Sequence, residues 1–61
     1  MPCVEVKLIG NLSKEQKSEI ARDITESLYR VAGKSKSHTY VVFQEVSRED
    51  WAAGGVLFAD K

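Results

Sequence analysis

Sixty-one residues carry nine lysines and arginines against nine aspartates and glutamates. The chain is therefore one domain at most, with no net field to hold nucleic acid or an anionic membrane. One cysteine, Cys3, and one histidine, His38, exclude a disulfide framework and ordinary metal-ligand spacing. Because so short a chain buries only about 60% of the surface its unfolded form exposes, oligomerisation is the route left to a stable core.

The first informative residue is Pro2. Removal of Met1 would leave it a free secondary amine on a rigid ring, with a lone pair that an amide nitrogen lacks. Free α-amino groups titrate near ~8, and apolar burial or nearby cations lower that value by disfavouring the charged form. Such a group can act as a base near neutrality. The plain alternative is that Pro2 opens a strand, where its missing N–H costs little.

From Cys3 to Ile9 the apolar Val4, Val6 and Leu8 alternate with Glu5 and Lys7, the period of a strand with unlike faces. Cys3 here reads as a small hydrophobe more readily than as a reactive thiol. Gly10 and Asn11 break the run, and Ser13 with Gln16 forms a capping box that starts a helix. Across Lys14 to Ala32 an apolar stripe of Ile20, Ile24, Leu28 and Val31 defines the buried side of that helix, and Gly33 ends it. A polar loop from Lys34 to His38 leads into Thr39 to Val46, rich in β-branched and aromatic residues, and so to a second strand.

Strand, helix and strand make an α/β chain of one βαβ unit, with parallel pairing across a right-handed crossover. One helix covers one face of the pair. The other face and both edges need partners. The segment from Ser47 to Lys61 reads as a polar turn containing Trp51, then Gly54 and Gly55, then a short strand of Val56, Leu57 and Phe58 that would pair with another subunit. No apolar run approaches the ~20 residues of a membrane span, and no signal peptide is visible, so a cytoplasmic protein is expected.

Taken in order, Met1-Pro2, Val4-Glu5-Val6-Lys7-Leu8, Ser13-Lys14-Glu15-Gln16-Lys17, Val41-Val42-Phe43-Gln44-Glu45 and Trp51-Ala52-Ala53-Gly54-Gly55 resemble the small 4-oxalocrotonate tautomerase family over nearly the whole chain. The resemblance implies a single domain over residues 1–61. It further implies βαβ subunits pairing into a four-stranded sheet with two helices, and three such dimers forming a homohexamer. The implied activity is keto-enol or double-bond isomerisation of a small 2-oxo or enol acid without a cofactor. Pro2 would move a proton between atoms of the substrate, and Trp51 would wall the proline pocket where relatives usually carry phenylalanine.

The sequence also departs from that pattern. The best-studied branch holds substrate carboxylates with two arginines, at the positions occupied here by Leu12 and Tyr40. Leucine offers no donor, and tyrosine offers a neutral one. His38, Lys34, Lys36 and Arg48, in loops flanking the second strand, are the candidate replacement cations. Leu12, Tyr40 and Trp51 favour an apolar body, so a monoanionic or aromatic enol such as phenylenolpyruvate is the expected substrate. Two alternatives stand beside this. Glu49 or Asp50 could activate water opposite a protonated proline, giving hydratase or dehalogenase chemistry, or the loss of both arginines could leave a non-catalytic assembly domain.

Overall fold

The computed structural model describes all residues 1–61. Strand β1, Cys3–Ile9, pairs in parallel with β2, Tyr40–Val46, in the register Cys3 to Tyr40 through Ile9 to Val46. Helix α1, Lys14–Ala32, crosses between them. The expected βαβ unit is therefore the architecture of the chain.

Alternation fixes the two faces. Val4, Val6 and Leu8 of β1, with Val41 and Phe43 of β2, are half-buried on the helix side, while Cys3, Glu5, Lys7, Tyr40, Val42 and Gln44 are exposed on the other. Helix α1 begins where Ser13 Oγ accepts the Gln16 N–H at 3.1 Å and Gln16 Oε1 accepts the Ser13 N–H at 2.9 Å, the reciprocal bonding of a capping box. It ends at Gly33, whose φ of 66° turns the chain so that the Lys34 N–H reaches the Leu28 carbonyl at 3.2 Å, beside the Gly33 N–H bond to the Tyr29 carbonyl at 2.9 Å.

Two sequence expectations need correction. Val31 is 72% exposed, so the apolar stripe stops at Leu28. The C-terminal segment forms a small hairpin rather than one strand: β3, Ala52–Ala53, pairs antiparallel with β4, Val56–Leu57. Its two-residue turn needs positive φ at both positions, supplied by Gly54 at 61° and Gly55 at 82°. Phe58 falls outside the strand, in a 3-10 turn, and packs edge-on against Trp51 with ring centroids 6.3 Å apart. Short 3-10 turns also occupy Lys36–His38 and Arg48–Asp50.

No residue is fully buried. The radius of gyration is 14.7 Å and the molecule spans 43 × 24 × 15 Å, against about 10.5 Å expected for a compact domain of this length. The helix covers one side of a two-stranded sheet and leaves the other bare, with Tyr40 and Val42 about half exposed. No helix is long and apolar enough to cross a membrane.

Candidate active site

Pro2 lies one residue before β1, and its carbonyl accepts the Tyr40 N–H at 2.9 Å. This bond extends the parallel ladder and holds the proline at the N-terminal end of the strand pair, beside Tyr40. Pro2 is half-buried, whereas Met1 before it is 81% exposed. His38 precedes β2 and belongs to the same end.

The opposite end is organised by Glu45. One carboxylate oxygen accepts the Leu12 N–H at 3.0 Å, and the other takes the Lys17 ammonium. The Lys17 hydrogen bond, followed by the Leu12 N–H, holds the Glu45 carboxyl below its usual range. Strand β2 is thereby tied to the loop and first turn that carry Leu12. Beyond it, the Trp51 carbonyl accepts the Phe58 N–H at 2.8 Å, and Arg48 Nη2 donates to the Phe58 carbonyl at 3.3 Å.

Beside Trp51 opens a cleft of about 530 Å³ lined by Lys7, Gln44, Glu45, Asp50 and Trp51 among others. A second, of about 430 Å³, lies against Asn11, Glu45 and Arg48. Of the two carboxylates considered for water activation, Asp50 lines the Trp51 cleft and Glu49 does not. No group of His, Cys, Asp and Glu side chains is gathered to hold a metal ion.

The sequence-selected residues thus divide in two. Pro2 and Tyr40 share one end of the sheet; Leu12 and Trp51 share the other. Seven strand residues at about 3.3 Å each separate the ends by roughly 20 Å, so no single chain brings all four together.

The candidate cations also sort by position. Lys36 sits 2.6 Å from Glu26 and 4.7 Å above the Tyr29 ring, and the Glu26 hydrogen bond raises its pKa. It is engaged on the helix side. Arg48 is occupied with the Phe58 carbonyl. Lys7, Gln44 and Glu45 were not among the residues singled out from sequence; they emerge only when the register sets Lys7 beside Gln44 and Leu8 beside Glu45. The alternation of β1 alone already places Lys7 on the face away from the helix.

A family model described as tautomerase enzyme matches residues 2–61. A probable tautomerase of Campylobacter jejuni is 46% identical over 56 residues, covering 90% of this chain and 82% of the relative. The crystal structure of a 4-oxalocrotonate tautomerase homologue superposes with a TM-score of 0.88 at 41% identity, covering 100% of this chain and 97% of the other. A heterohexamer 4-oxalocrotonate tautomerase from Chloroflexus aurantiacus gives a TM-score of 0.83 at 25% identity, with 98% and 97% coverage.

Proposed function

The chain belongs to the tautomerase family, and from that premise we propose that it is a cofactor-independent isomerase in which Pro2, freed of Met1, is the general base. The observation that carries this reading is the setting of Pro2. Its carbonyl is fixed in the ladder by Tyr40, so the ring is held in place, while the methionine before it projects into solvent and is open to removal. A neutral prolyl nitrogen would take the proton from an enol hydroxyl or an acidic carbon, and the prolinium so formed would return it to another carbon of the same conjugated system. No atoms are gained or lost. Trp51 would exclude water and keep the amine uncharged between cycles, and Tyr40 would donate its phenolic hydrogen to the developing oxyanion.

Leucine and tyrosine in place of two arginines favour a substrate with one carboxylate and an apolar or aromatic body, such as phenylenolpyruvate. The assembly is a cytoplasmic homo-oligomer, a trimer of dimers whose paired βαβ units form a four-stranded sheet. The open sheet face and the absence of any fully buried residue support this, as does the heterohexameric relative. Antiparallel pairing of two copies would bring the Pro2 end of one to the Trp51 end of the other.

The test is ketonisation of phenylenolpyruvate by protein whose proline terminus is verified by intact mass. Pro2→Ala should lower kcat by at least about a hundredfold, the scale of acid-base catalysis. Unchanged turnover in that variant would remove Pro2 as the base, whereas no turnover in the parent would leave an assembly domain as the better account. Asp50 in the cleft favours one second reading, hydration of an unsaturated acid. The pH profile separates the two, since the isomerase gains rate as pH rises through the amine pKa and the hydratase loses it.

A further inference from the structure

We infer that Lys7, with Gln44 beside it, holds the substrate carboxylate, and that it does so for the Pro2 of a second copy of the chain. This rests on the tautomerase reading above. It names the cation that the positions of Leu12 and Tyr40 do not supply.

Several other cations near the strand ends are already occupied. Lys17 is paired with Glu45, Lys36 with Glu26 and the Tyr29 ring, Arg48 with the Phe58 carbonyl, and Lys61 lies 4.6 Å above the Phe58 ring. The Lys7 ammonium has no ion-pair or hydrogen-bond partner, and Lys7 lines the same cleft as Trp51. The register sets it beside Gln44 on the face away from the helix. An ammonium and a side-chain amide can each donate to one oxygen of a carboxylate, giving the two-point grip that a guanidinium otherwise provides alone. Trp51 supplies a wall for an apolar body.

The acids around the cleft set how much negative charge it accepts. Glu45 is already balanced by Lys17 and the Leu12 N–H. Asp50 has no ion-pair partner, and Glu5 lies two residues from Lys7 on the same face. Both oppose a second negative charge, so the ligand class is a small monocarboxylate.

Lys7 is five strand residues from the Pro2 of its own chain, about 16 Å, which exceeds the reach of a small 2-oxo acid. The carboxylate held at one chain's Lys7 therefore presents its reacting carbons to another chain's Pro2.

The test compares phenylenolpyruvate with its methyl ester as substrates of the assembled protein. Lys7→Met should raise KM for the acid about tenfold to a hundredfold, the scale of a charged hydrogen bond, and leave KM for the ester unchanged. Lys7→Arg should restore most of the loss. Arg22→Gln, which removes a cation from the exposed side of α1, should leave KM for the acid within about twofold of the parent. Lys7→Gln is the second variant should Lys7→Met not assemble. At substrate well below the parental KM, co-refolding inactive Pro2→Ala with Lys7→Met at equal amounts should give about a quarter of the parental rate, because half of random pairs are mixed and each mixed pair has one intact site of two. An equal KM shift for acid and ester, or no recovery on mixing, overturns the inference while leaving Pro2 as the base. Full activity in Pro2→Ala removes the tautomerase reading, and the role of Lys7 with it.

Discussion

At the residue scale, Glu45 does the most structural work for its size, joining β2 to the loop that carries Leu12 and to the first turn of α1. Folding lowers its pKa, so its stabilising contribution is complete above the ordinary value of 4.5 and is lost as pH falls through the folded value. Denaturant midpoints of the parent and of Glu45→Gln should therefore differ at neutral pH and converge in acid. A constant gap across that range would show that the charge is immaterial. Leu12 gives a different prediction, because the resemblance places an arginine there in relatives that bind dicarboxylates. Leu12→Arg should lower KM for a dicarboxylate enol by roughly tenfold in steady-state kinetics, at the expense of the aromatic acid. Pro2, Leu12, Tyr40 and Trp51 could be singled out from sequence because each stands beside a landmark legible in the chain: Met1, the capping serine, the start of the second strand and the glycine pair. Lys7 could not, since its chemistry depends on Gln44, 37 positions later in the chain, arriving beside it through strand register.

At the scale of elements, the capping box and the glycine turn are each sensitive to one change. Ser13→Ala removes the acceptor for the Gln16 N–H and should cost about 1 kcal/mol, read as a lower midpoint in chemical denaturation. Gly54→Ala meets no atom within 4 Å, so its penalty is the backbone's alone, roughly 1–2 kcal/mol for a left-handed residue with a side chain. That substitution should loosen the arm carrying Trp51 and Phe58, visible as a red-shifted tryptophan emission. Strand β1 and helix α1 coincide with their sequence expectation because each is long enough to show a period and α1 is bounded by capping signals. The hairpin was hidden for the opposite reason. Two strands of two residues show no alternation, and Val56, Leu57 and Phe58 look like one continuous run until the Gly54-Gly55 turn folds them back.

For the whole molecule, the extended shape and the lack of any fully buried side chain support the proposed assembly, in which folding and association would be coupled. The melting temperature should therefore rise with protein concentration. In sedimentation velocity, the smallest folded species should be larger than one chain. A concentration-independent melting point with a folded monomer would contradict both the open sheet face and the shared site. The roughly 20 Å between the Pro2 end and the Trp51 end carries one more consequence, for inheritance. On the shared-site proposal, after duplication of the gene one daughter could let its base decay while the other loses its wall, and the two together would still build a working centre that neither builds alone. Homomeric and mixed-chain assemblies of this fold are then neighbouring states, separated by a few substitutions at opposite tips of the same short sheet.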